Sequence, residues 1–281
     1  MLEIGKYNNL TILRHTSVGL FLSDESGEEV LLPTKYCPEK VIIGNKINVL
    51  VYRDNAERKI ATTLTPKILL HEFALLQVTA EAEVGTFVDW GMEKDILVPF
   101  KEQRMRMEKE RWYIVYLDLD KETDRLYASN KVDKFLSNDI LTIKEGQKVD
   151  ILIWKQTDIG FSVIINNKHS GLIFDNEIFK KLNIGEKLTG YVKQIREDNK
   201  VDISLHAIGF ENSNDPNCEL IFQTLIDNNG FLAITDKSSP DDIYTEFGIS
   251  KKAFKKAIGT LYKQRKIELL ADGIKSVNYK K

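Results

Sequence analysis

The sequence predicts a mainly β protein with a C-terminal α+β domain, and two observations carry that expectation. Between residues 10 and 205, five short alternating or β-branched runs recur three times, with a period of roughly 60–70 residues. After Asn217 the pattern changes to amphipathic helices punctuated by capping residues and closed by a tight hairpin. Five strands make one small barrel, and the common five-stranded barrel is the OB-fold, so the repeats predict three such barrels in series. The tail has the element order of a winged helix, a helix-turn-helix variant.

The first repeat comprises Leu10–Leu13, Val18–Leu22, Val30–Leu32, Ile47–Tyr52 and Lys59–Leu64. The second comprises Leu75–Val78, Gly85–Trp90, Ile96–Val98, Tyr113–Asp118 and Leu126–Ala128. The third comprises Val149–Trp154, Gly160–Ile165, Gly171–Phe174, Leu188–Ile195 and Val201–Leu205. Turn signals separate the runs, among them Ser26-Gly27, Asp54-Asn55, Trp90-Gly91, Asn166-Asn167 and Asp198-Asn199. The second run of each repeat carries a glycine near its start (Gly19, Gly85, Gly160), which marks a bulge or a barrel corner. The third run follows after a short turn, as Val30-Leu31-Leu32-Pro33, Ile96-Leu97-Val98-Pro99-Phe100 and Gly171-Leu172-Ile173-Phe174. Ahead of the fourth run, repeats one and three share a turn, Ile43-Gly44-Asn45-Lys46 and Ile184-Gly185-Glu186-Lys187. Repeat two has the charged stretch Lys101–Arg111 instead and reads as having lost that turn.

In the tail, Glu219–Asn228 is an amphipathic helix with Leu220, Ile221, Leu225 and Ile226 apolar, ended by Asn229-Gly230. A short strand, Phe231–Thr235, follows. Ser239-Pro240-Asp241-Asp242 supplies an N-cap, a first-turn proline and two acids for a helix through Ile243–Phe247, which Gly248 ends. Ser250 caps a third helix, Lys251 to Lys263. Glu268–Leu270 and Ile274–Val277 form a hairpin through Ala271-Asp272-Gly273. The expected domains are residues 1–68, 69–140, 141–210 and 215–281.

Composition narrows the function classes. The 281 residues are 42% hydrophobic and 29% charged, which suits several small cores and not a disordered chain. No apolar run approaches the roughly 18 residues of a membrane-spanning helix. Met1 to Leu13 has no apolar segment of the signal-peptide kind, so a cytoplasmic location and no membrane partner are expected. Cys37 and Cys218 are far apart, and His15, His71, His169 and His206 do not cluster. Neither a disulfide framework nor a metal site is expected, and no cofactor. The net charge is −2, but residues 217–281 carry 11 basic against 8 acidic side chains and are therefore +3, leaving −5 on the rest. A polyanion must then be held by local patches, because the overall field does not attract it.

Two sets of residues carry a resemblance. Gly146-Gln147-Lys148-Val149, Gly160-Phe161, Gly171-Leu172-Ile173, Ile184-Gly185-Glu186-Lys187, Val192 and Ile203-Ser204-Leu205 resemble an S1 domain, the RNA-binding variety of OB-fold. Asp236-Lys237-Ser238-Ser239-Pro240, Ser250-Lys251, Phe254-Lys255-Lys256-Ala257-Ile258-Gly259 and Leu261-Tyr262-Lys263 resemble the C-terminus of the conserved virulence factor B (YitL-like) family of bacterial proteins. That resemblance implies three S1-like barrels and a winged helix in a cytoplasmic, non-enzymatic RNA-binding protein that acts in gene regulation.

S1 domains hold single-stranded RNA on one barrel face, with bases stacked on aromatic rings and phosphates met by Lys and Arg. Their pattern, an aromatic–glycine–small–aromatic strand and then a histidine or aromatic on the third strand, maps unevenly here. In repeat two, Val84 stands at the first aromatic place, Phe87 at the second and Pro99 at the histidine place beside Phe100, with Asp120 and Arg125 flanking the last strand. Trp90, beside Gly91 at a turn, is expected to be exposed and to offer a stacking surface. In repeat three, Ile159 and Ser162 replace the two aromatics, Phe161 is shifted by one, and Phe174 fills the histidine place. A one-residue shift reverses the face unless a bulge restores it. His169, Lys193, Arg196 and Lys200 lie on neighbouring segments. Repeat one keeps Phe21, expected in the core, with Pro33 at the histidine place, and reads as mainly structural.

On the third tail helix, Phe254, Ala257, Ile258 and Leu261 share one side at about 100° per residue. Lys252, Lys255, Lys256 and Lys263 share the other, with Gly259 among them and Arg265 and Lys266 following. No acid in the helix offsets these lysines, and lysines without Arg, Asn or Gln suit phosphate contact better than base reading.

The expected partner is single-stranded RNA, with no small-molecule substrate. Two rival readings stay open: a DNA-binding regulator led by the winged helix, and a scaffold whose degenerate barrels meet the ribosome or another protein. Asp118 and Asp120 share one strand face without a third carboxylate, and no phosphate loop or nucleophile elbow is present, so no enzyme is expected.

Overall fold

A computed structural model of the chain describes residues 1–175, 178, 181–205 and 216–277. Residues 1–205 form one compact unit, and the described residues from 216 onward belong to a second. The junction expected at 210–215 and His206 lie outside the described residues.

The first barrel is closed by β1 (Tyr7–Thr16), β2 (Gly19–Ser23), β3 (Glu29–Pro33), β4 (Lys46–Arg53) and β5 (Lys59–Thr62), in the order β1-β2-β3-β5-β4. The second is built from β6 (Phe73–Ala82), β7 (Gly85–Val88), β8 (Ile96–Pro99), β9 (Trp112–Leu119) and β10 (Leu126–Ser129) in the same order and is nearly closed. The third, again closed, uses β11 (Lys148–Thr157), β12 (Gly160–Ile165), β13 (His169–Phe174), β14 (Lys187–Ile195) and β15 (Val201–Ser204). This is the predicted five-stranded repeat.

Two backbone devices bend each sheet into a barrel. The first strand of every repeat slips register at one place, between Ile12 and Arg14, Val78 and Ala80, and Ile153 and Lys155. The extra residue is a β-bulge, which increases local twist. The second device is the repeated glycine. Gly19, Gly85 and Gly160 have φ of +141°, +156° and +147°, and a Cβ there would lie 2.1, 2.2 and 1.9 Å from the carbonyl oxygens of Leu32, Val98 and Ile173. Only glycine lets the two strands approach that closely.

The turn that repeat two was expected to lack is present. The amides of Gly44 and Gly185 donate to the carbonyls of Ile12 and Ile153, and that of Glu110 donates to Val78 in the same way, each at 2.8 Å. Glu110 adopts the left-handed φ of +67° where the other repeats use glycine at +91° and +86°. The preceding charged stretch is not simply solvated. Met107 is fully buried in the second core, and buried Gln103 donates to the Val98 carbonyl at 3.0 Å and to Thr86 Oγ1 at 3.1 Å.

Each barrel has its own core, and neighbouring barrels share side chains. Leu50 and Tyr52 of β4 point away from the first core and pack with Ile68, Leu76, Val88 and Trp90 of the second. Phe73, Ile114 and Val132 of the second barrel pack with Leu152 and Ile164 of the third. Trp90, expected at the surface, is therefore 1% exposed, with its edge against Tyr52 (ring centroids 5.9 Å apart) and Nε1 donating to the Lys94 carbonyl at 2.6 Å.

The second unit contains α1 (Pro216–Asp227), β16 (Phe231–Leu232), α2 (Pro240–Phe247), α3 (Lys251–Lys263), β17 (Ile267–Leu269) and β18 (Ile274–Ser276), the last strands ordered β16-β18-β17. Both predicted N-caps form: Ser239 Oγ accepts from the Asp242 amide at 3.1 Å and Ser250 Oγ from the Ala253 amide at 3.2 Å. The core holds Ile221, Leu225, Ile243, Phe254, Ala257, Ile258 and Leu261. Leu220, expected on the apolar face of α1, is exposed, and Phe222 packs against the core instead. Among the described residues no helix is long and apolar enough to cross a membrane.

Two stability outcomes follow. Gly85→Ala should cost at least the roughly 1–3 kcal/mol of a strained backbone, and more than Gly44→Ala, since a Cβ at Gly44 meets nothing within 4 Å. Equal denaturant midpoints for the two variants would show that the close carbonyl does not matter. Trp90→Ala should lower unfolding free energy by about 3–5 kcal/mol, as for other buried large-to-small changes. A drop well under 1 kcal/mol by the same measurement would contradict its burial.

Candidate nucleic-acid interface

Strand alternation places one outward strip on each barrel. Phe21 is flanked in register by Arg14 and Leu31, Phe87 by Ala80 and Leu97, and Ser162 by Lys155 and Leu172. The preceding residues, Leu20, Thr86 and Phe161, face inward. Phe161 is thus partly buried against the third core, because the bulge of that barrel lies in β11 and not in β12. The first-aromatic places, Val18, Val84 and Ile159, are all exposed, at 56%, 60% and 56%. Pro33, Pro99 and Phe174 end the strip on the third strands. The outward strip of each barrel therefore carries one ring: Phe21, Phe87 or Phe174.

Phe21 is outside the core in which it was expected. The Arg14 guanidinium covers its ring at 4.2 Å and makes a two-pronged pair with Glu29 at 2.7 and 3.0 Å. That cover leaves little ring face for a base.

On the second barrel, half-buried Phe87 and exposed Arg125 line one groove of about 850 Å³ together with Leu97, Pro99, Lys101, Asp118 and Tyr127. The first barrel contributes Arg53 and Glu57 to the same groove. Glu57 receives Lys94 at 3.0 Å and Arg125 at 3.2 Å, and the Lys94 ammonium holds its carboxyl below the usual range. Tyr127 donates to Asp118 Oδ2 at 3.0 Å, and burial together with that carboxylate pushes its phenol pKa up. Asp120 is committed to its own turn, accepting from the amides of Glu122 and Thr123. Phe100 is 44% exposed on the turn after β8 and is not part of the groove lining.

On the third barrel, Arg196 lies over the Phe174 ring at 5.5 Å and pairs with Asp202 at 2.9 Å. Lys200 is exposed and pairs with Asp198 at 2.7 Å. Lys193 is the exposed extra residue of a second bulge, between Val192 and Gln194. His169 is neither a surface residue nor a contact: it is 2% exposed, with Nδ1 at 2.7 Å from the Ser137 carbonyl and Nε2 at 2.9 Å from Thr142 Oγ1. Both ring nitrogens are engaged in tying β13 to the preceding segment.

On α3 the predicted segregation holds. Phe254, Ala257, Ile258 and Leu261 are buried, and Lys252, Lys255, Lys256 and Lys263 are exposed, as is Arg265 just past the helix. One acid from outside the helix approaches, Asp236 at 3.8 Å from Lys255. Gly259, at the centre of the lysine face, has open space where a Cβ would stand.

Sequence reasoning missed Glu57, Lys94 and Tyr127. Their one local signal is the glutamate in a turn where the matching residues of the other repeats are Asp124 and Asn199. Among the described residues no group of three or more His, Cys, Asp or Glu side chains is placed to hold a metal ion.

Comparison with known proteins assigns these parts. The S1 domain family matches residues 4–64, the first barrel, although the sequence landmarks are most complete in the third. The CvfB-like winged helix domain family matches residues 219–275. The protein YitL of Bacillus subtilis is 29% identical over 274 residues, covering 94% of this chain and 90% of its own. Conserved virulence factor B of Staphylococcus saprophyticus is 24% identical over 259 residues, covering 88% of this chain and 86% of its own. A crystal structure of a multidomain protein with nucleic acid binding domains from Streptococcus pneumoniae is 25% identical over 98% of each chain, with a TM-score of 0.41. S1 and winged-helix domains support nucleic-acid binding, and neither is a known enzyme family. With an S1 domain match at its start, a CvfB-like winged helix match at its end and relatives matched along nearly its whole length, the chain is similar to the YitL and conserved virulence factor B proteins.

Proposed function

We propose that the protein binds single-stranded RNA as a cytoplasmic post-transcriptional regulator and carries out no catalysis. The observation that carries this reading is the partly exposed aromatic ring on the outward strip of the second and third barrels, Phe87 and Phe174, each in reach of cationic side chains. Rings of this kind stack unpaired bases, which a duplex does not offer. The lysine face of α3 adds phosphate contact without base choice, since no Arg, Asn or Gln lies within that helix to read a groove edge. The first barrel contributes least to stacking, because Arg14 covers Phe21.

Competition between a single-stranded RNA and a duplex DNA of equal length tests the ligand class. Tighter duplex binding would favour a DNA regulator led by the winged helix, and binding to neither would favour a protein or ribosome partner. Phe87→Ala or Phe174→Ala should weaken RNA binding by about 1–3 kcal/mol with the unfolding midpoint unchanged. A variant that unfolds instead would put that ring in the core. Lys252, Lys255 and Lys256 changed together to Ala should weaken all RNA sequences alike. The slope of log affinity against log salt should shrink by about 0.7 for each phosphate of a single strand that a lysine no longer neutralises. An unchanged affinity and slope would leave the α3 face as ordinary solvated surface.

A further inference from the structure

We propose that the groove between the first and second barrels is a composite site for a nucleotide unit of single-stranded RNA, in which the carboxylate of Glu57 holds the place of a phosphate until RNA displaces it. The inference rests on single-stranded RNA as the ligand and gives the first barrel, which reads as structural in sequence, a part in the second barrel's site.

Three observations converge on Glu57. The first is its company. Its two carboxylate oxygens meet Lys94 and Arg125, beside the Phe87 ring in the same groove. A carboxylate bridging two cations next to an aromatic platform imitates a phosphodiester whose base is stacked.

The second is its backbone. The matching turn of each barrel puts one residue in the left-handed region: Glu57 at φ +60°, Asp124 at +53° and Asn199 at +59°. Aspartate and asparagine tolerate that conformation, and glutamate is not among the residues enriched there. Glu57 is not needed to hold its own turn either. Asp54 already does so, its Oδ1 accepting from the amides of Ala56 at 2.8 Å and Arg58 at 3.0 Å. What the longer side chain adds is reach to the neighbouring barrel.

The third is that the turn is anchored without the carboxylate. Arg53 donates to the Glu57 carbonyl at 2.6 Å and to the Asp124 carbonyl at 3.1 Å, and Lys94 donates to the Asp54 carbonyl at 3.2 Å. The groove walls therefore remain when Glu57 lets go of its cations.

The experiment compares the full chain with Glu57→Gln and Glu57→Asn, using a single-stranded oligoribonucleotide of mixed sequence as probe. Both variants should bind about three- to tenfold more tightly, the effect of removing two competing, partly exposed ion pairs. The gain should be smaller in an Arg125→Gln background, where only the pair with Lys94 is left to release. Thermal unfolding of Glu57→Asn should be no lower than that of the parent, since asparagine suits the left-handed backbone. If Glu57→Gln binds equally or more weakly while Phe87→Ala weakens binding, the groove binds RNA but Glu57 does not hold a phosphate place, and the proposal is overturned. If wild type binds no single-stranded RNA at all, the proposed function falls and this inference with it.

Discussion

Three carbonyl oxygens occupy the space where a side chain would begin. At Gly19, Gly85 and Gly160 the oxygens of Leu32, Val98 and Ile173 come within about 2 Å of the position a Cβ would take. Each close approach lets the second strand fold over the end of the third, and the bulge in the first strand supplies the matching twist. The outward strip then follows from alternation alone. The residue after each glycine must face inward, and the next one outward, which is why Phe21, Phe87 and Ser162 share a place and Phe161 does not. The site chemistry is thus set by a backbone constraint two residues away.

Tandem packing then decides which outward faces stay open. In β4 and β9 both faces are used: Val49 and Val51 fill the first core while Leu50 and Tyr52 meet the second barrel, and Val115 and Leu117 fill the second core while Ile114 and Tyr116 face the third. Strands covered on both sides read as continuous apolar runs, and Val49-Leu50-Val51-Tyr52 and Tyr113–Leu117 are such runs. The corresponding β14 has Tyr191 and Lys193 on either side of buried Val192, and Lys193 is exposed, whereas Tyr52 after Val51 in the first barrel is buried. Equal folds carry unequal surfaces because their neighbours differ.

The fold was legible because its determinants are local. Period-two runs, turn pairs, Ser239 and Ser250 as caps and the strand glycines each act within a few residues. The α3 faces were legible for the same reason. The barrel sites were legible in part. Trp90 was misplaced because a turn glycine beside it argues for exposure, whereas its burial comes from Tyr52, contributed by a different barrel. His169 was misplaced because its partners, Ser137 and Thr142, lie about thirty residues upstream. The repeat-two turn was missed because Glu110 takes a left-handed conformation for which glycine is the usual signal. The errors at Trp90 and His169 arose where a distant partner overrode a local preference.

The charge pattern gives the two units different tasks in the proposed function. Around the outward strips four cations are already matched: Arg14 with Glu29, Arg125 with Glu57, Arg196 with Asp202, Lys200 with Asp198. A polyanion that offers charge alone must exchange one partner for another there and gains little, consistent with the −5 carried outside the tail. A strand whose bases also stack has a second source of free energy and can drive the exchange. On α3, by contrast, Lys255 is the one lysine with a carboxylate within 4 Å among the described residues. Under the proposed function, the other lysines of α3 would meet phosphate without first giving up a carboxylate, so the helix would add salt-sensitive affinity to any single strand, and the barrels, with their cations held in reserve, would discriminate in favour of strands whose bases are free to stack.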